Sequence, residues 1–209
     1  MSGLSDRGIV LTLGACIVAF GVGMSLRQSF GIWLGTGSAA VLSMAVIAAS
    51  DPSARTRLFR GWSARACLAG LAVGMGMSIA TWVLYPLSAQ LIPGIEREVT
   101  ELYTLLREPP GPVRALPVLA LVVATEELVW RGLALDLFIR RLRPGQAVLA
   151  AAALSILPQL ALQSLLLVAV GFSCALVWGW LRVKYVGLAA PLIAHLLWDL
   201  LVFVLFPVV

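Results

Sequence analysis

Apolar residues run along this chain in long blocks, and the polar residues collect in short gaps between them. Seven blocks stand near the roughly 20 residues that a helix needs to cross a bilayer. They cover about 8–26, 29–49, 66–90, 113–138, 146–160, 162–181 and 186–207. One intervening segment differs in kind. Residues 94–112, GIEREVTELYTLLREPPGP, mix apolar and charged positions at helical spacing, and a double proline and a glycine then stop the helix. The pattern predicts an all-α polytopic membrane bundle of about seven transmembrane helices enclosing a polar cavity. Residues 1–112 hold the N-terminal helices and the amphipathic segment, and 113–209 hold a core carrying the polar residues, within one integral membrane domain. The fifth block is short, so 146–181 reads either as one long bent helix or as two.

Composition agrees. Of 209 residues, 61% are hydrophobic and 12% charged, and the mean hydropathy is +1.00. A soluble domain carries about 45–50% apolar and about 25% charged residues. The glycine and alanine content fits a bacterial inner membrane. Small residues recur in GLAVGMGMS and GTGSAA, which predicts close helix–helix contact. The start, MSGLSDRG, leads into a long apolar run with no cleavage site, as an uncleaved first span does. Cys16, Cys67 and Cys174 are widely spaced in or beside apolar runs and read as small hydrophobes rather than a disulfide framework.

The net charge of +5 does not point to nucleic acid, because the basic residues sit in short loops. Arg55, Arg57, Arg60 and Arg65 share one loop with Asp51. Arg140, Arg141 and Arg143 occupy a second, and Arg182 and Lys184 a third. With seven spans all three loops fall on one side, and the segment 94–112, with four glutamates and two arginines, falls on the other. The positive-inside rule then places the N-terminus in the cytoplasm and the C-terminus outside.

Few ionisable residues remain inside the spans. Glu126, Glu127 and Arg131 lie on the fourth, His195 and Asp199 lie on the seventh, and Asp136 falls near the basic loop at the interface. A charge near the bilayer centre costs at least a few kcal/mol, so it should face the bundle interior and have a partner. Glu127 and Arg131 are four apart with the acid first, the favourable order for a helical pair. His195 and Asp199 are also four apart, and Glu126 is rotated about 100° from Glu127. With Arg131 neutralising Glu127, Glu126 is left to activate a water, and His195 and Asp199 can stabilise a developing oxyanion. That is a hydrolase site without a metal or other cofactor. Three other readings stand beside it: ion pairs that only hold helices together, a metal site built mostly from carboxylates because the chain has a single histidine, and a proton relay in a small transporter, for which no repeat symmetry is visible.

Two stretches carry a family resemblance. EELVWRG (126–132) resembles the EExxxR motif of the CAAX-protease and bacteriocin-processing family, the Rce1-like glutamic intramembrane proteases. Residues 170–200, VGFSCALVWGWLRVKYVGLAAPLIAHLLWDL, resemble that family's C-terminal signature, which ends in HxxxN or HxxxD. The resemblance covers about 120–200. It implies a helical bundle around a cavity and endoproteolysis of a membrane-anchored or lipidated peptide or protein at the bilayer. It also implies Glu126 as the water-activating base, Glu127 and Arg131 as its support, and His195 and Asp199 as the oxyanion site. One motif departs from the family: about 30 residues after the glutamates the family has FxxxH, whereas this chain has Gln159 and Ser155 at those places. Glutamine exchanges hydrogen bonds but does not titrate. Gln159 therefore either positions a water at a lower rate, or the chain is an inactive relative that binds, escorts or confers bacteriocin immunity.

Overall fold

In hydrocarbon a backbone must satisfy its own N–H and C=O groups, and helices do so within one segment. A computed structural model describes residues 5–209, and every regular element among them is helical. The expected uncleaved N-terminus falls partly on residues 1–4, outside the described residues. The helices are α1 (Asp6–Ser25), α2 (Arg27–Phe30), α3 (Ile32–Ser50), α4 (Ala54–Phe59), α5 (Ala64–Leu91), α6 (Ile95–Arg107) and α7 (Leu116–Glu126). A π-helical turn (Glu127–Ala134) leads into α8 (Leu135–Ile139). Then come α9 (Pro144–Ser155), a 3-10 turn (Pro158–Leu162), α10 (Leu165–Tyr185), α11 (Ala189–Asp199) and a second π turn (Leu200–Leu205).

Five helices among the described residues are long and apolar enough to cross a membrane: α1, α3, α5, α9 with its 3-10 turn, and α10. The protein is an integral membrane protein. The expected count of seven is not reached on length and composition. Ala189–Leu205 is apolar but short, and the run from α7 through α8 is interrupted by Glu126, Glu127, Arg131 and Asp136. The segment 146–181 is two helices. Gln163 takes a left-handed conformation (φ 56°), and the Ser164 hydroxyl caps the start of α10 by accepting from the Leu167 N–H.

Small residues set the crossings, as their clustering predicts. α1 and α3 meet at Gly23 and Gly35, backbone to backbone. α5 lies against α11, and a Cβ on Gly70 would stand 2.6 Å from the Ala190 carbonyl oxygen. Cys16 and Cys174 are buried, Cys67 is half-buried, and all three are free. The amphipathic α6 buries Ile95, Val99, Tyr103 and Leu106. Its Glu98 accepts from the Ser164 hydroxyl at 2.5 Å. Its Tyr103 hydroxyl donates to the Val202 carbonyl at 2.8 Å. The helix is thereby fixed to the start of α10 and to the second π turn.

On the side of the basic loops, Asp136 is held between two arginines. Arg57 reaches it at 2.6 Å and Arg182 at 2.7 Å, and Arg57 also pairs with Asp51 at 2.8 Å. Burial pushes the Asp51 carboxyl up, but hydrogen bonds from Ser53 and Arg57 outweigh it and hold the group below its ordinary value of 3.8. A carboxyl depressed in the folded state adds stability above its unfolded pKa, and that contribution is lost as pH falls through its folded pKa. Asp51→Asn should therefore lower stability at neutral pH by about 1–3 kcal/mol. The gap to the wild type, followed by denaturation of the solubilised protein, should shrink as pH drops below about 4. Two substitutions on one helix test the α5–α11 crossing. Gly70→Ala meets backbone and should destabilise by about 1–3 kcal/mol. Gly76→Ala, with nothing within 4 Å of the added carbon, should be neutral or gain up to about 1 kcal/mol in thermal unfolding.

Candidate active site

Both helices that carry the intramembrane ionisable residues change character at those residues. α7 ends at Glu126 and passes into the π turn, where the Leu135 N–H bonds back to the Trp130 carbonyl, five residues earlier. α11 ends at Asp199 and does the same, with Phe206 bonding to Leu201 at 2.8 Å. Single π turns within helices concentrate at functional sites. The first buries all eight of its residues, packed among Ile9, Leu13, Ile47, Val148 and Leu188.

Glu127 is 0% exposed. Its Oε1 lies 3.2 Å from Arg131 Nη1 and 2.8 Å from His195 Nδ1. A carboxylate beside a guanidinium accepts only, so the hydrogen-bond network assigns the Nδ1 proton to the histidine. His195 Nε2 then faces two further acids, with Glu126 Oε2 at 3.8 Å and Asp199 Oδ2 at 3.6 Å. These separations exceed hydrogen-bond length. The fold thus brings Glu126, Glu127, Arg131, His195 and Asp199 together from two helices. The i, i+4 pairings expected from sequence are present, and the bond between Glu127 and His195, 68 residues apart, is an addition.

Gln159 stands apart from this set. It lies on the 3-10 turn, against Gly171 of α10, where an added Cβ would sit 2.2 Å from its Oε1. That oxygen is buried with no hydrogen-bond partner. Among the described residues, no hydrogen bond or ion pair joins Gln159 to the five. Arg27 holds the far end of the turn by donating to the Ala161 carbonyl at 2.9 Å. Ser155, at the place of the family's phenylalanine, donates to its own helix at Ala152.

Trp178 of α10 is a part of the site that the sequence reading missed. Its ring stacks on the His195 imidazole with centroids 3.7 Å apart and planes 18° from parallel. The Arg131 guanidinium carbon lies 5.1 Å from the centre of the same indole. The only sequence signal was a WGW pair, and it does not separate buried Trp178 from exposed Trp180. Beside the site, α5, α6, α10, α11 and the second π turn line an open apolar cavity of about 420 Å³ that includes Thr81, Tyr103, Val170, Cys174, Trp198 and Phe203. A larger groove of about 730 Å³ lies between α1 and α3, and none of the five ionisable residues lines it. Among the described residues, no three or more His, Cys, Asp or Glu side chains are grouped so as to hold a metal ion.

Comparison with curated proteins and with solved structures returns no match. Comparison with family models returns one, described as type II CAAX prenyl endopeptidase Rce1-like, over residues 109–201. The matched segment takes in α7, the first π turn and α11, and with them every member of the five-residue cluster. Over residues 109–201 the chain is similar to the type II CAAX prenyl endopeptidase Rce1-like family.

Proposed function

We propose that this protein is an intramembrane glutamic-type endopeptidase that cleaves a membrane-anchored, lipidated peptide or protein. The Rce1-like domain supports a CAAX-protease type of hydrolase at family level. One observation carries the finer reading: Glu126 and Asp199 converge on Nε2 of a buried histidine whose other nitrogen is tied to Glu127. A water placed to the side of the Glu126–His195 gap reaches both groups.

In this reading Glu126 takes a proton from that water as its oxygen attacks the scissile carbonyl, and the carbon–oxygen double bond opens to an oxyanion. In the substrate complex His195 keeps its Nδ1–H on Glu127, and its Nε2, which takes up a proton from solvent as substrate binds, donates to the oxyanion, with Asp199 facing the same nitrogen. As the tetrahedral species collapses, the carbon–nitrogen bond breaks and the proton held by Glu126 goes to the leaving amine. Arg131 balances Glu127, so the supporting carboxylate keeps its charge without competing for the water's proton. The neighbouring apolar cavity, about 420 Å³ in volume, has the chemistry to receive the lipid of an anchored substrate. The basic loops support an arrangement with a cytoplasmic N-terminus, and composition supports a bacterial inner membrane. The alternative of a non-catalytic binding, escort or immunity protein draws on Gln159, which cannot titrate and makes no bond to the cluster.

The test uses the purified protein in lipid nanodiscs and a quenched fluorescent peptide bearing an S-farnesyl cysteine near its C-terminus. Glu126→Gln and His195→Ala should each lower kcat by about 10²–10⁴-fold, with the melting temperature of Glu126→Gln close to that of the wild type. Equal cleavage by wild type and both variants would overturn the reading. A strong chelator should leave the wild-type rate unchanged, and its loss on chelation would move the mechanism to a metal.

A further inference from the structure

The plane of the His195 ring decides the geometry of the site. With Nδ1 on Glu127, a rotation of the imidazole about its χ2 bond breaks the 2.8 Å bond and swings Nε2 away from Glu126 and Asp199. Neither acid restrains that rotation, since both stand beyond hydrogen-bond distance of Nε2. Trp178 does restrain it. Its indole lies nearly parallel to the imidazole at 3.7 Å, so the ring cannot tip toward α10 without striking it. This differs from the other aromatic contacts in the same cluster. Trp178 meets Trp198, and Trp198 meets Phe203, edge to face at 66° and 76°, as ordinary core aromatics do. The same indole lies within cation–π reach of Arg131. One side chain from α10 thus touches members of the cluster supplied by the first π turn and by α11.

We propose that Trp178 is a positioning residue, whose flat face sets the plane and the hydrogen-bonded tautomer of His195. The consequence for rate rests on the protease reading, but the geometric claim does not. His195 is the only histidine in the chain, so histidine labelled with ¹³C and ¹⁵N reports one imidazole without assignment.

In the wild type, the carbon-bound ring protons of His195 should lie upfield of an exposed histidine through the indole ring current. Its ¹⁵N spectrum should show Nδ1 as the protonated nitrogen. Trp178→Phe keeps a flat face and should retain both signatures and the wild-type kcat to within a few-fold. Trp178→Leu should lose the upfield shift, mix the tautomers and lower kcat on the farnesylated peptide by about 10²-fold, with KM little changed. Trp178→Met, long but not flat, should behave as the leucine variant and replaces it where leucine does not fold. An upfield shift that survives in the leucine or methionine variant overturns the proposal. So does a phenylalanine variant as impaired as the unstacked ones. If the wild type cleaves no peptide while the spectra change as expected, the protease reading falls and the positioning of His195 stands.

Discussion

The site depends on one carboxylate. Glu127 is fully buried in a membrane bundle, where an uncompensated charge costs several kcal/mol. It is compensated twice, by Arg131 on its own helix and by His195 from α11. The first contact neutralises it. The second ties the first π turn to α11 across the interior and, with Trp178 stacked on the ring, orients the imidazole toward Glu126 and Asp199. A substitution that removed Glu127 would leave a buried guanidinium without its acid and an imidazole held by Trp178 alone.

The surrounding helices serve that contact. Gly70 lets α11 lie against α5 at a distance that a side chain would prevent. The π turns do the complementary work on the other axis. Each adds a residue to one turn of its helix at the point where ionisable side chains appear, shifting the face that follows. α6 then forms one wall of the apolar cavity, fastened by Glu98 to the Ser164 hydroxyl and by Tyr103 to the Val202 carbonyl. The apolar cavity borders the cluster at Trp198, whose ring meets Trp178 edge to face.

Much of the architecture was legible because hydrocarbon leaves the backbone few choices. Long apolar blocks have to be helices, and α1, α3, α5 and α10 fall within a few residues of their expected bounds. The segment 94–112 carries apolar positions at helical spacing before its prolines, and α6 is an amphipathic helix there. The break inside 146–181 was left open between one bent helix and two, because Gln163 and Ser164 do not announce a left-handed turn and a cap as a glycine and an aspartate would. Asp136, expected at the interface, finds Arg57 and Arg182, partners 79 and 46 residues away that no local spacing could name.

The sequence by itself determined the solvent, the helices and the identity of the five ionisable residues, because a charge in an apolar helix is conspicuous whatever it touches. It also determined the pairs within one helix, Glu127 with Arg131 and His195 with Asp199, since those follow from 3.6 residues per turn. Only the tertiary structure decided that Glu127 rather than Glu126 bonds the histidine, that Gln159 turns to Gly171 and makes no bond to the cluster, and that Trp178 covers the imidazole. Each of these depends on the rotation and depth of one helix against another. Those are set by where glycines allow backbones to touch and where π turns shift a face, quantities that hydropathy along a single chain does not contain.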